Sequence, residues 1–93
     1  MYEKTTTVLN KTGIHARPAA VFSSAAKKFQ SNITVTNLSA EPVKSGNAKS
    51  IIQLMTMNLT KGTQISLKAE GEDEQAAVDA LIALVESGCG ENL

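Results

Sequence analysis

The residues of this chain that could do chemistry lie in one short segment, residues 13–19, which reads GIHARPA. Proline is tolerated in a helix only in its first turn, so Pro18 predicts a helix that begins near Ala16. The first turn of a helix carries backbone N–H groups without intrahelical partners and the positive end of the helix dipole, and both favour an anion. Arg17 adds a permanent charge that can make two parallel hydrogen bonds to a phosphate. The pattern suits transfer of a phosphoryl group to the imidazole of His15.

The same segment also has a simpler interpretation. His15 is the only histidine of the chain, and a single histidine at the start of a helix can be a surface or capping residue beside a solvated arginine. Gly13 is compatible with both interpretations, because a glycine permits a turn that directs the imidazole outward. The spacing alone therefore leaves a phosphoryl acceptor and a surface histidine as alternatives.

Composition excludes several other classes of function. The chain has 93 residues, of which 42% are apolar, and this predicts one globular domain over residues 1–93. One cysteine and one histidine exclude an internal disulfide, a multi-cysteine metal site and a histidine cluster. Three aromatic residues and zero net charge argue against nucleic-acid binding. No general-base partner for His15 is evident, so neither an independent enzyme nor a cofactor is expected.

Hydropathy and charge bear on the location of the protein and on its partners. No apolar run reaches the ~18 residues of a membrane span, and the N-terminus lacks the apolar segment of a signal peptide, so we expect a cytoplasmic protein without membrane insertion. Residues 1–69 contain nine basic and two acidic residues, a net charge of +7, whereas residues 70–93 contain seven acidic residues and no basic one. This asymmetry could steer an acidic partner to the basic end, or it could reflect only an acidic helix beside a lysine-rich remainder.

Hydrophobic periodicity predicts the elements that must position His15. Strands are expected over residues 2–9, over 33–36, around Val43 and over 65–69. A first helix should run from about Ala16 to Gln30, with an apolar stripe at three- and four-residue steps. Ser50 should cap a short helix over 51–58, and a last helix should begin within 70–74 and stop at Gly88. The order predicts an α+β fold with the helices on one face of the sheet.

The segment GIHARPA closely resembles the active-site motif of the HPr family, the histidine-containing phosphocarrier proteins of the phosphoenolpyruvate-dependent sugar phosphotransferase system. Three further segments resemble the family in the same order: residues 33–36 (ITVT), 48–51 (AKSI) and 69–75 (AEGEDEQ). The resemblance extends over residues 1–88. It implies an HPr-like open-faced β-sandwich, in which three helices cover one face of a four-stranded antiparallel sheet.

The resemblance also implies a role for each residue of the motif. His15 would accept a phosphoryl group on Nδ1 from enzyme I and pass it to the A domain of a sugar-specific enzyme II. Arg17 would bind the phosphoryl oxygens together with the backbone N–H groups of Ala16 and Arg17, and Thr12 would have a supporting role. Such a protein is a monomeric carrier without independent turnover.

Two further features of the family match this chain. The residue corresponding to Ser50 is a regulatory site in many Gram-positive bacteria, where an HPr kinase phosphorylates it and a catabolite-control regulator binds the product; here it could equally be only a helix cap. The apolar residues Ile51, Ile52 and Met55 match the surface that contacts partners, although their spacing also fits a core. We expect Ala20 and Phe22 to extend that surface.

The chain departs from the common family pattern at three places. The segment between Ile33 and Ser50 is a few residues longer, with the additional residues within Asn37–Asn47. Gln53 stands where many Gram-positive members have glycine, and the tail contains Cys89, which we expect to be exposed but inert. These departures keep two alternatives open, a carrier dedicated to a fructose, dihydroxyacetone or nitrogen-linked pathway, and a regulatory paralogue that signals through Ser50.

Overall fold

A computed structural model describes residues 1–90 and contains four strands and three helices. The strands are β1 (Tyr2–Thr7), β2 (Asn32–Asn37), β3 (Lys44–Asn47) and β4 (Gln64–Glu70). The helices are α1 (Arg17–Ala26), α2 (Ile51–Thr56) and α3 (Glu74–Glu86). The order β-α-β-β-α-β-α is the predicted one, and each predicted element is present.

The four strands form one antiparallel sheet in the order β1-β4-β2-β3. Alternation along β4 places Ile65, Leu67 and Ala69 on the face that packs against the helices. The three helices cover this face and complete a core whose largest members include Phe22, Leu54, Leu67 and Leu81. The opposite face is polar, as the side-chain hydrogen bond between Thr36 and Ser45 illustrates. This is the predicted open-faced arrangement.

The edge strand β1 is attached to α3 largely by polar contacts. The amino group of Met1 pairs with Glu74 at 2.8 Å, and Lys4 Nζ pairs with Asp79 at 2.9 Å. The hydroxyl of Tyr2 donates to the same Asp79 carboxylate. The hydrogen bond and the charge of Lys4 lower the pKa of Asp79. Part of the acidic segment 70–93 is therefore used to bind the cationic groups of Met1 and Lys4.

Several helix and strand boundaries differ from the predicted ones, and the strand predicted around Val43 begins at Lys44. The first helix ends at Ala26 rather than near Gln30, since Phe29 N bonds back to Ala26 O in a tighter turn and Gln30 N donates to the carboxylate of Asp73. β1 ends at Thr7, and α2 ends at Thr56. No helix within residues 1–90 is long and apolar enough to cross a membrane.

Candidate functional site

The loop that carries His15 is fastened to the segment that precedes β4. Ile14 is buried, and its backbone N–H donates to the carbonyl of Leu59 at 2.7 Å. The side-chain amide of Asn10 donates to Gly13 O at 2.6 Å, and Gly13 N donates to Asn10 O at 3.0 Å. These bonds close the turn over residues 10–13 and hold the residue immediately before His15 in the core.

Gly13 is required in this loop for two reasons. Its φ of +72° lies in the left-handed region, where a side chain is strained. A Cβ at this position would also overlap the carbonyl oxygen of Leu59 and lie 2.9 Å from Thr60 Cα. The predicted role of Gly13 in the turn is confirmed, and the close approach to Leu59 explains how the loop can pack so tightly.

His15, Ala16 and Arg17 are exposed between the buried residues Ile14 and Pro18. Arg17 is the first residue of α1 and Pro18 the second, so the predicted helix start is confirmed. Because the flanking residues are anchored in the core, the three residues between them must lie at the surface. The structure thus places the imidazole and the guanidinium in solvent at the N-terminus of one helix.

Ala16 occupies the N-cap of α1 in an unusual conformation. Its φ is 50° and its ψ −114°, values that an L-residue rarely adopts, and its carbonyl accepts the first helical hydrogen bond from Ala20 N at 3.0 Å. N-caps usually have a side-chain oxygen that accepts from the first turn, but within residues 1–90 no side chain caps α1. The first turn is therefore suited to receive the oxygens of an external anion.

The short helix α2 presents its apolar side chains outward. Ser50 is its N-cap, as predicted, and the hydroxyl accepts a hydrogen bond from Gln53 N at 3.2 Å. Leu54 alone is buried on this helix, whereas Ile52 is 77% exposed. Ile51 and Met55 are also exposed. We refer to Ile51, Ile52 and Met55 as the α2 patch; the structure places these three residues on the surface and not in the core.

Two predicted surface residues are buried. Phe22 was expected to extend the α2 patch, but it is fully buried, because it lies one helical turn after Pro18 and Ala19 on the face of α1 that packs on the sheet. This assignment is wrong, whereas Ala20 is half-buried and remains at the surface. Cys89 was expected to be exposed and is also fully buried, since the chain turns back at Gly88 and Cys89 N bonds to Leu84 O.

Sequence reasoning missed the roles of two residues, one that holds the His15 loop and one that binds the backbone after α1. Asn10 was assigned only to a turn, yet its buried amide holds the His15 loop. Asp73 was expected to complement the dipole of α3, but its carboxylate accepts hydrogen bonds from the Ser31 hydroxyl and from the backbone of Gln30 and Ser31, after the end of α1. The Ser31 hydroxyl and then the Gln30 amide lower the pKa of Asp73. The turn sequence of residues 10–13, which begins with asparagine and ends with glycine, was a signal for the first role; the sequence contains no comparable signal for the second.

The other predicted site residues have modest local roles in the structure. Thr12 is exposed in the turn before Gly13, and its hydroxyl lies 3.5 Å from the Asn10 amide. Gln53 donates its backbone N–H to Ser50 and accepts a hydrogen bond from Asn47 N at 2.7 Å. It therefore links the start of α2 to the end of β3.

The fold and the exposed pair of His15 and Arg17 at a helix start have the features of a small phosphoryl-carrier domain. The chain belongs to the HPr family: the family described as "PTS HPr component phosphorylation site" matches residues 2–87. It is 47% identical to the phosphocarrier protein HPr of Haemophilus influenzae over 85 residues, which cover 91% of this chain and 95% of the relative.

Two further comparisons agree with this membership. The chain is 45% identical over 86 residues to the HPr-like protein Crh of Halalkalibacterium halodurans, covering 92% of this chain and 98% of that protein. The fold matches the crystal structure of HPr-C-His from Thermoanaerobacter tengcongensis over 100% of both chains, with a TM-score of 0.90 and 46% sequence identity. The predicted fold class is confirmed by this structural match.

Proposed function

We propose that the imidazole of His15 accepts a phosphoryl group from enzyme I and donates it to the A domain of a sugar-specific enzyme II. The observation that carries this proposal is the exposure of His15 and Arg17 at the uncapped N-terminus of α1, between the anchored residues Ile14 and Pro18. Membership of the HPr family supports it. The protein would act in the cytoplasm as a monomeric carrier and not as an enzyme with its own turnover.

The geometry of the site suits a transfer between two proteins. The lone pair of Nδ1 forms the new bond to phosphorus while the bond to the donor breaks, and the bonding electrons remain with the donor. Charge in such a transfer is spread over the three equatorial oxygens of the phosphoryl group. Arg17 and the backbone N–H groups of Ala16 and Arg17 would bind these oxygens, and donors already held at a helix start would lower the reorganisation needed on transfer.

We propose the α2 patch, with Ala20 at its margin, as the surface that enzyme I and enzyme II A domains contact. Three of the six residues of α2 are exposed apolar side chains, and they form a cluster on one short helix. An exposed apolar cluster is typical of a surface that binds another protein. Burial of such a cluster on docking would exclude water from the contact surface. Arg17 would contribute the charged part of the same surface.

Labelling with enzyme I and phosphoenolpyruvate tests the assignment of His15. We expect one phosphate per chain, labile in acid and stable in base as a phosphorylated imidazole is. His15→Ala should abolish the label without changing the circular dichroism spectrum, because the side chain is exposed. Lys11→Ala is a matched control, since it removes another exposed side chain from the same loop and should retain labelling. A label that persists in His15→Ala contradicts the proposal.

A regulatory role through Ser50 is the second candidate function. The observation in its favour is the position of the hydroxyl, which is half-buried at the N-terminus of α2 and directly before the α2 patch. A phosphate at that position would interact well with the helix start and would add charge next to an apolar contact surface. Incubation with ATP and an HPr kinase should then label Ser50 and not His15, and absence of label with an active kinase would leave Ser50 as a helix cap only.

A further inference from the structure

A small polar pocket lies between the β2–β3 loop and the segment that holds the His15 loop. It has a volume of about 270 Å³ and is lined on one side by Asn37, Ser39 and Lys44 and on the other by Asn58, Thr60 and Thr63. The volume is slightly below the range of pockets for drug-sized molecules, so an occupant would have only a few non-hydrogen atoms. The first set of lining residues belongs to the segment 37–47, in which the sequence predicts additional residues.

Several of the hydrogen-bond acceptors that line this pocket are already used within the protein. The side-chain oxygen of Asn37 already accepts from Ser39 N and Ala40 N, and its amide donates to Met57 O. The carbonyls of Asn58 and Thr60 accept from the backbone N–H groups of Thr60 and Thr63. These four acceptors of the lining are therefore already engaged by the protein itself.

The remaining polar groups have hydrogens to donate. The Ser39 hydroxyl accepts from Gln64 N at 3.1 Å, which leaves its own hydrogen to donate. Thr60 and Thr63 share one hydrogen bond between their hydroxyls at 3.2 Å, so one hydrogen of this pair is left over. The Asn58 side chain adds N–H donors beside its own carbonyl oxygen. An occupant that accepts several hydrogen bonds fits this set.

Lys44 provides the positive charge of the pocket. It pairs with Asn37 in the register of β2 and β3, and cross-strand partners share a face, so its side chain lies on the Asn37 side of the sheet. Within residues 1–90 no carboxylate lies within 4.0 Å of its ammonium group. Lys44 is also the one charged residue among those that line the pocket. One cation surrounded by donors favours an anion.

We propose that this pocket binds a small phosphate monoester, with Lys44 on the phosphate and the hydroxyls of Ser39, Thr60 and Thr63 and the Asn58 amide around it. The site is distinct from the His15 site, which lies beyond the Leu59 carbonyl that holds Ile14. Because Asn58 and Thr60 flank Leu59, an occupant would contact the segment to which the His15 loop is fastened.

Titration of the ¹⁵N-labelled full chain with glycerol 3-phosphate, followed by amide chemical shifts, tests the proposal. We expect saturable shifts at Ser39, Lys44, Thr60 and Thr63. Lys44→Met should weaken binding about tenfold or more, since the loss of one charged contact corresponds to about 1.4 kcal/mol. Lys27→Met is the matched control, because it removes an exposed lysine outside the pocket and should bind like the parent.

A second variant and two further probes complete the test. Asn58 has a φ of 56°, which glycine adopts without strain, so Asn58→Gly removes the amide but preserves the turn and should weaken binding about threefold. Inorganic phosphate should bind more weakly than the monoester, and neutral glycerol should not bind. The proposal would be overturned by shifts that are confined to residues 14–19 or that do not saturate. It would also be overturned if Lys44→Met bound glycerol 3-phosphate as tightly as the parent, or if glycerol bound as tightly as glycerol 3-phosphate.

Discussion

Replacement of Gly13 by alanine probes the contact that fixes the His15 loop. Two costs are expected. The left-handed φ of +72° strains any residue with a Cβ by about 1–2 kcal/mol. The new methyl group would also overlap the Leu59 carbonyl and approach Thr60 Cα, and overpacking of this kind costs about 1–3 kcal/mol. The sum predicts a loss of about 2–5 kcal/mol in the free energy of unfolding.

Gly62→Ala separates these two costs. Gly62 also has a left-handed φ, +89°, but a Cβ there would have no atom within 4 Å. Only the backbone strain of about 1–2 kcal/mol should remain. Urea denaturation should therefore show Gly13→Ala to be less stable than Gly62→Ala by about 1–3 kcal/mol. In thermal unfolding, each 1 kcal/mol of lost stability should lower the melting temperature by about 4–8 °C in a domain of this size.

The two glycine variants should also differ in function. Relief of the overlap requires the loop to move away from Leu59, which breaks the bond from Ile14 N and displaces His15. A misplacement of about 1 Å can slow a reaction about 100-fold, so phosphoryl acceptance from enzyme I should fall in Gly13→Ala and remain near the parent rate in Gly62→Ala. Equal stability of the two variants would refute the close approach between Gly13 and Leu59.

Three other substitutions test separate parts of the site. Arg17→Lys retains the charge but loses the two-point contact, so transfer to enzyme II should slow about tenfold with little change in melting temperature; an unchanged rate would leave phosphate binding to the helix N-terminus alone. Ser50→Asp should remain folded, since a carboxylate also caps α2, but should raise the half-saturation for enzyme I about tenfold or more in transfer assays; parent-like kinetics would contradict regulation at this residue. Asp73 has a lowered pKa, so its ionised form stabilises the fold above about pH 4 and this contribution is lost as the pH falls through the lowered value. Asp73→Asn should be less stable than the parent in urea at neutral pH, and this difference should shrink in acid; a constant difference would show that the carboxylate charge is not involved.

The sequence alone was sufficient to predict those features of the fold that depend on neighbouring residues. Pro18 marked the start of α1 because the proline ring fits only the first turn, and Ser50 marked the start of α2 because its hydroxyl caps the helix. Phe22 follows Ala19 by three residues and precedes Ala26 by four, so the helical spacing of α1 places it in the apolar stripe, and all three residues are buried. The error came from extending the α2 patch to Phe22 against that spacing.

The remaining features depend on residues far apart in the chain. Asp73 binds the backbone of Ser31, 42 positions earlier, and thereby helps to end the first helical segment before Gln30. Cys89 is buried because Gly88 turns the chain back toward α3. Neither contact has a local signal, since a carboxylate at a helix start and a cysteine in a polar tail are both compatible with exposure.

The position of the α2 patch relative to His15 is fixed by contacts between α1 and α2. The Ser23 hydroxyl of α1 donates to Lys49 O at 3.0 Å, and Lys49 Nζ donates to Phe29 O at 2.7 Å. Lys49, the residue before the N-cap of α2, is thus bound both to the middle of α1 and to the residue Phe29 after its end. The Leu59 carbonyl, which follows α2, accepts from Ile14 N in the loop that precedes α1. A partner that docks on the patch would therefore meet the imidazole in one orientation. In the proposed transfer, donor and acceptor proteins both meet His15, and such preorganisation would serve both steps without a conformational change.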